Sequence, residues 1–441
     1  MKKSQLIGYN LNHKVSLLLT DMLAVAFAFS IASYLRVGLI PDFLGFEFIS
    51  LSLIIIACIF ITDGYASDSL AHTPKLPLRT FFVVIASSIP CMLLIYFLGV
   101  ERFSFLFGRS IFPAAFFLVA TLSIINRVII NTYLFSKKKE KKTVAILGST
   151  KRNEWLNQSL MNARLDVECQ EIKSLTELKL LDVCALVITP GYELNKDEKQ
   201  DLVTLRLAGT PIFTLSNFIE NFLFLVPVQE INDNWFIRST GFTMLHNTAS
   251  RRTKRATDII AAVILFIITI PITAVTACLI RTISPGPIFF SQIRVGKHGE
   301  EFKVYKFRTM QTDAELSGAQ WASENDPRII PGGHFLRKTR IDEIPQCWNI
   351  LKGEMSFIGP RPERPEFTAT LNKEIPYYDL RHVVKPGLTG WAQVKYPYGA
   401  STEDSLRKLQ FDLYYIKNYS LLLDFNIVLR TIKITLLRGG R

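Results

Sequence analysis

Four apolar stretches in the first third of the chain constrain its fold more than any other feature. They lie at about 14 to 35, 47 to 62, 78 to 98 and 110 to 134, each near the ~20 residues with which a helix crosses a hydrocarbon core. Residues 1–135 are therefore expected to form a four-helix transmembrane bundle. The second stretch is the weakest, because its uncharged core LSLIIIACIFIT is short and draws on Glu47 to Ser50 to reach full length. Lys2, Lys3 and Lys14 precede the first span, and KKKEKK at 137–142 follows the fourth. Both ends of the bundle are thus expected on the cytoplasmic side. No small-residue cleavage site follows the first apolar segment, which reads as retained.

The remainder is too long for one core. At 441 residues, two or three units are expected. A fifth of the residues are charged and the formal net charge is +13, so a basic soluble portion accompanies the membrane part. That excess fits phosphates or acidic lipid headgroups, and on charge alone nucleic acid equally well. Cys58, Cys91, Cys169, Cys184, Cys278 and Cys347 show no C-x-x-C spacing, which argues against a zinc site or a disulfide framework.

After the basic run, TVAILGS reads as a strand ending at Gly148, and CALVITP at 184–190 as another. Strands alternating with helix-compatible sequence predict a small Rossmann-like α/β module over 142–230. The turn after Gly148 runs Ser149-Thr150-Lys151-Arg152-Asn153 and lacks the second and third glycines of a dinucleotide fingerprint, so the backbone cannot approach a pyrophosphate closely. A regulatory or scaffolding role is expected there.

A second membrane element, ATDIIAAVILFIITIPITAVTACLIRTI, occupies about 256–283 behind Arg251, Arg252, Lys254 and Arg255. Pro271 in its middle removes a backbone hydrogen bond and kinks the helix. An ordinary kinked transmembrane helix and a re-entrant helix over 251–283, returning to the same face, both satisfy this pattern.

Residues 284–441 carry most of the chemistry. SPGPIFFSQIRVGKHGEEFKVYKFRTM holds turn residues, then strand-like alternation with Arg294, Lys297, Lys303, Lys306 and Arg308, enough positive charge for a diphosphate. In FLRKTRIDEIPQCWNILKGEMSFIGPRPERPEF, Asp342 and Glu343 precede helix-compatible sequence with Pro345 in its first turn and Gly353 as its stop. The pair is expected at a helix N-terminus, where the dipole favours the ionised form. It could bind Mg²⁺ through oxygen or present a carboxylate nucleophile; alone, such a pair is usually helix capping. The prolines of Gly359-Pro360-Arg361-Pro362 restrict Arg361, whose guanidinium can grip phosphate oxygens. Lys385-Pro386-Gly387-Leu388-Thr389-Gly390 is a second basic turn, and FDLYYIKN brings Asp412. The final segment, LLLDFNIVLRTIKITLLRGGR, fits an interfacial amphipathic helix or a packed terminal one.

Together these segments resemble the bacterial sugar transferase family, the monotopic polyprenyl-phosphate phosphoglycosyltransferases that prime exopolysaccharide, capsule or O-antigen synthesis. The similarity rests on SPGPIFFSQIRVGKHGEEFKVYKFRTM, DPRIIPGGHFLRKTRIDEIPQCWNILKGEMSFIGPRPE, VKPGLTGWAQV and FDLYYIKNYSLLLDF, in that order, over roughly 251–441. The spans and the α/β module resemble the family's long form.

The resemblance implies a catalytic domain over 284–441 on the cytoplasmic face of the bacterial inner membrane, seated on a re-entrant helix. It implies that Asp342 attacks the β-phosphate of a UDP-sugar, releases UMP and holds the sugar phosphate until undecaprenyl phosphate displaces it. Glu343 matches the dyad partner, with Mg²⁺ held by Asp342 and Glu343. Arg337 and Arg361 match arginines that bind phosphate or nucleotide, Asp412 a further active-site carboxylate, and Lys306 and Arg308 the basic KFRTM strand. Lys385 is placed with the substrate-binding group. Long-form relatives commonly use UDP-glucose or UDP-galactose, although no motif reads the sugar. Nucleic acid is not among the implied partners; inner-membrane lipids are, and a homodimer is compatible. One departure is Ile270, which precedes Pro271 where the family often has serine. A membrane scaffold, and a nucleotide-sugar-modifying module with bound NAD(H), are the competing readings.

Overall fold

A computed structural model of the chain describes residues 3–38, 40–62, 65, 75–99, 111–135, 142–148, 153–162, 167–178, 183–312, 314, 326–396, 399 and 401–437. Lys2, the basic run up to residue 141, residues 149–152 of the turn after Gly148, and Arg438 lie outside the described residues. The chain is a mixed α/β protein with several long apolar helices, and it divides into two compact units, Met1–Leu215 and Ser216–Arg441.

The first unit begins with five helices: α1 (Lys3–Val37), α2 (Phe46–Ile61), α3 (Lys75–Ala86), α4 (Ser88–Leu98) and α5 (Ile111–Phe135). Windows at Val15–Leu35, Thr80–Leu98 and Ile111–Ile129 are long and apolar enough to cross a membrane. The second stretch forms a helix of only 16 residues, a rise of about 24 Å against a hydrocarbon core of about 30 Å. The third stretch breaks at Ser87 into α3 and α4. Pro90 explains the break, because it cannot donate to the carbonyl of residue 86 and its ring crowds that carbonyl. Phe29, Ile55, Ile95, Phe116 and Val119 pack into one shared core, while Leu23, Leu53, Phe97 and Phe117 are exposed. Helices apolar on both sides suit a lipid surround. A buried ion pair crosses this core: Arg127 of α5 pairs with both carboxylate oxygens of Asp21 of α1 at 2.9 and 3.0 Å, and Ser123 donates to the same carboxylate.

The rest of this unit is β1 (Lys142–Leu147), α6 (Asn153–Asn162), β2 (Val167–Ile172), α7 (Leu175–Leu178), β3 (Val183–Ile188), α8 (Lys196–Leu207) and β4 (Ile212–Thr214). The strands form one parallel sheet of order β2-β1-β3-β4. Its centre is apolar, with Ala145, Leu147, Leu186 and Leu202 in one cluster. Gly148 ends β1 at φ +96°, and a Cβ there would lie 2.2 Å from Thr189 Oγ1, so no other residue fits.

The second unit opens with α9 (Leu215–Leu223), α10 (Asp233–Arg238), α11 (Thr243–His246) and α12 (Thr248–Ile283). Residues 216–230, grouped by sequence with the α/β module, make their bonds here: Trp391 Nε1 donates to Phe224 O, and Val226 N to Gln410 O. The helix α12 runs without interruption through Pro271. Lys254, Asp258, Ala262, Thr269, Thr276 and Ile280 form its buried stripe, whereas Ile260, Ile264, Ile267 and Ile268 are exposed.

The rest of this unit follows as β5 (Phe289–Val295), β6 (Glu301–Phe307), α13 (Gly333–Lys338), α14 (Gln346–Lys352), β7 (Ser356–Ile358), α15 (Pro365–Glu374), β8 (Gly387–Thr389), α16 (Trp391–Lys395), α17 (Thr402–Lys417) and α18 (Leu421–Leu437). β5 and β6 make an antiparallel hairpin; β7 and β8 pair in parallel. Both ends of α12 are fastened to this region. At its base the Arg255 guanidinium donates to the Ile350 and Leu351 carbonyls at the end of α14, and Asp258 accepts from Ser356 Oγ and Phe357 N. Lys254 sits between Asp258 and Asp424 of α18. At the other end Ala277 and Ile280 pack with Phe307, Ile330 and Leu336.

Candidate active site

The segment Arg340-Ile341-Asp342-Glu343-Ile344-Pro345 is held from both sides by its own apolar residues. Ile341 and Ile344 pack against the Phe307, Ile330 and Leu336 cluster, and Arg340 turns the chain with a left-handed φ of 60°. A single 3₁₀ turn over Ile341–Glu343 results, with both carboxylates buried at 7% and 5% exposure. The dyad is therefore not the first turn of a long helix. Ile344 and Pro345 intervene, and Pro345 caps α14, which Gly353 ends at φ 92° as its position suggested.

The two carboxylates live in opposite electrostatic environments. Glu343 Oε1 accepts from Lys306 Nζ at 3.0 Å and Arg361 Nη2 at 2.9 Å, and Oε2 lies 3.4 Å from Arg340 Nη1. Burial alone would raise its pKa, but the fields of Lys306, Arg361 and Arg340 outweigh burial and hold it well below the usual carboxylate range. Asp342 has no such partners. Its buried Oδ1 accepts no hydrogen bond, and burial followed by repulsion from Glu343 pushes its pKa up to about 6, against the pull of Lys306, Arg340 and Arg337. A helix dipole favouring ionisation of both residues does not describe this site, since desolvation dominates at Asp342.

Arg361 reaches Glu343 because its loop is fastened at successive carbonyls. Gly387 N donates to Pro360 O at 2.8 Å, Arg381 Nη2 to Arg361 O at 3.0 Å and Arg294 Nη1 to Pro362 O at 3.0 Å. The second basic turn is thus the packing partner of this loop: a Cβ on Gly387 would lie 2.1 Å from Gly359 N. Arg381 is itself buried, with Nη2 on Asp412 Oδ2 at 2.9 Å and Nη1 on the Tyr378 hydroxyl at 2.6 Å. Burial raises the Asp412 pKa to about 6 even though Arg381 opposes it. Asp412 therefore stands behind Arg361, linked to it through Arg381.

The remaining sequence candidates divide. Lys306 touches the dyad directly, and Arg337, at the end of α13 with a contact to Met310 Sδ, contributes charge at Asp342. Arg308 is buried and spends its guanidinium on the Ser284 and Pro285 carbonyls at 2.7 Å each, closing the exit of α12. Lys385 lies beside Arg255 and Gly353; burial and Arg255 lower its pKa. Sequence reasoning singled out neither Arg340 nor Arg381. Arg340 was visible as a basic residue three positions before Glu343, but nothing in YDLRHV marks Arg381, whose importance arises from tertiary contacts alone.

The dyad's fit to a divalent cation can be judged from its free oxygens. The unpartnered Asp342 Oδ1 and the loosely held Glu343 Oε2 are hard donors. Among the described residues no group of three or more His, Cys, Asp or Glu side chains forms a cage. Mg²⁺ is commonly held by one or two carboxylates with substrate phosphates and water completing the shell, so these residues fit it.

Residues 249–438 match the family described as bacterial sugar transferase. Over 247 residues the chain is 42% identical to a UDP-N-acetylgalactosamine-undecaprenyl-phosphate N-acetylgalactosaminephosphotransferase of Aeromonas hydrophila, covering 56% of this chain and 57% of that protein. It is 40% identical over 185 residues to a UDP-glucose:undecaprenyl-phosphate glucose-1-phosphate transferase of Escherichia coli (strain K12), covering 42% and 40% respectively. Against exopolysaccharide production protein PSS of Rhizobium leguminosarum bv. phaseoli it is 40% identical over 192 residues, which cover 42% of this chain and 96% of that one. The chain spans about half the length of the first two relatives and nearly all of the third. With the matched region containing the dyad, its cations and the braced arginine loop, the chain belongs to the bacterial sugar transferase family.

Proposed function

We propose that this chain moves a sugar 1-phosphate from a UDP-sugar to undecaprenyl phosphate in two steps through Asp342. In the first, an Asp342 carboxylate oxygen attacks the β-phosphorus, the bond to the UMP oxygen breaks, and UMP leaves with that electron pair. In the second, a phosphate oxygen of the lipid attacks the same phosphorus, and the aspartyl–phosphorus bond breaks to restore Asp342. The single observation that carries this reading is the asymmetry of the dyad: Glu343 is occupied by cations while Asp342 Oδ1 is buried and unpartnered. Lys306, Arg337, Arg340 and Arg361 outnumber the two carboxylates and suit a diphosphate, whose transfer depends mainly on positioning and charge neutralisation. Mg²⁺, held by Asp342 and Glu343, would neutralise phosphate charge when bound.

Other parts of the molecule fit the same reading. The four apolar spans of residues 1–135 serve as a transmembrane bundle, the parallel sheet that follows as a Rossmann-like module, and α12 as a re-entrant helix. The support for re-entry is that both ends of α12 contact one catalytic domain, which a helix crossing a bilayer between those ends could not do. The active site then faces the cytoplasm at the inner membrane, where UDP-sugars are found. Relatives named for glucose and for N-acetylgalactosamine leave the donor to be read from a panel of UDP-sugars with UMP detection.

The decisive experiment is isotope exchange between labelled UMP and UDP-sugar without acceptor. Wild-type protein should catalyse it and, given donor labelled in the sugar phosphate, retain that label covalently. Asp342→Asn should lose on the order of 10³-fold or more, the scale of nucleophile removal. Normal turnover by that variant would rule out the covalent route.

A further inference from the structure

The site described so far binds charge, yet beside it lies an apolar cavity of about 380 Å³. Its walls are the outer half of α12, through Pro271, Val275 and Leu279, and the approach to and face of α13, through Ile330 and Phe335; Ile341 also lines it. Ile341 belongs to the 3₁₀ turn that carries Asp342, so the cavity reaches to within one residue of the proposed nucleophile. Val275, Leu279 and Phe335 are half or more exposed, whereas Ile280 and Leu336 beneath them are fixed in the core with Phe307. The floor is rigid and the walls stand open. Arg340 directly precedes Ile341 and Arg337 lies in the last turn of α13, both close enough to influence the Asp342 carboxyl.

An apolar trough adjoining a cation-rich turn fits an amphiphile with an anionic head. We infer that this cavity holds the phosphate-proximal part of the acceptor's isoprenoid chain, and that it reads only the first two or three isoprene units. The inference rests on the transfer reaction proposed above. At about 30 Å³ for each water-sized group, the cavity admits on the order of a dozen carbon atoms, a small part of an undecaprenyl chain. The rest of the chain stays in the bilayer along the exposed isoleucines of α12. Filling the trough with hydrocarbon also keeps water from reaching the acyl phosphate by this side.

The test uses the full chain in lipid nanodiscs with isoprenyl phosphates of increasing length, and a linear alkyl phosphate of fifteen carbons as comparator. The acceptor KM is expected to fall severalfold for each added unit up to about three, through packing contacts in the trough, then to change little up to the full-length lipid. Val275→Trp and Leu279→Trp, at exposed wall positions, should fill the trough and raise the acceptor KM severalfold, and leave UMP exchange, which needs no acceptor, within about twofold. Ile264→Trp, on the exposed face of the other half of α12, should alter neither. A fifteen-carbon isoprenyl phosphate with a photoreactive terminal unit should crosslink within residues 271–283 or 330–341, a readout independent of turnover. A KM that keeps falling to full length, wall variants with unchanged KM, equal use of the linear phosphate, or crosslinks confined to the base of α12 would each overturn the inference and leave the trough to bilayer acyl chains or a second copy of the chain. Absence of UMP exchange in the wild type would instead refute the transfer reaction, with the crosslinks still reporting on the trough.

Discussion

Two adjacent carboxylates in one turn acquire different properties because their neighbours differ. Since the native pKa of Asp342 is raised to about 6, its reactive anion is scarce at low pH. UMP exchange should therefore rise about tenfold per pH unit below 6 and level off above it, and a profile flat between pH 5 and 7 would contradict this assignment. The same shift has a stability consequence. A carboxyl whose native pKa lies above its unfolded value favours the fold below the unfolded value and loses that contribution as pH rises through 6. Asp342→Asn should accordingly melt higher than wild type at pH 7.5, with the gap closing towards pH 4. Behind the dyad, Arg381 donates to the Arg361 carbonyl from a site shared with Asp412 and Tyr378. Arg381→Lys keeps the charge but loses the fork, so the donor KM should rise more than kcat falls. Its effect should also couple with Arg361→Lys in a double-mutant cycle; simple additivity would reduce Arg381 to a packing residue.

At the level of elements, the helices owe their partnerships to a few polar contacts set in apolar surfaces. Asp21 and Arg127 join α1 to α5 in a bidentate pair with both side chains 1% exposed. Burying one ion without the other typically costs about 3–5 kcal/mol, while replacing both by apolar groups is often near neutral. Arg127→Leu should thus lower the melting temperature in detergent markedly, and Asp21→Leu with Arg127→Met should recover most of the loss. Equal destabilisation by single and double variants would show that the pair is not the link. The hairpin β5–β6 and the short pair β7–β8 work differently: they carry Lys306 and the Arg361 loop to one place from distant parts of the sequence.

At the scale of the molecule, the division at residue 215 separates a membrane and α/β portion from the region that matches the family. Hydropathy alone marked the apolar helices, because lipid-facing segments are uniform in composition and need no partner to be recognised. Local chemistry marked Gly148, Gly353 and the DE pair, whose backbone or charge demands act within a turn; Pro271, expected to kink its helix, lies in one uninterrupted helix. The sequence could not say which carboxylate is free, that Arg308 serves a turn and Lys385 stands beside Arg255, or that Asp412 reaches Arg361 through Arg381. Those properties depend on burial and on contacts between residues distant in sequence, as with Arg381 on Arg361 O, 20 positions apart, and on Asp412, 31 positions apart. The sequence by itself determined which groups were present and which segments were apolar; only the tertiary structure decided their electrostatic environments, because desolvation and pairing are properties of the packed chain.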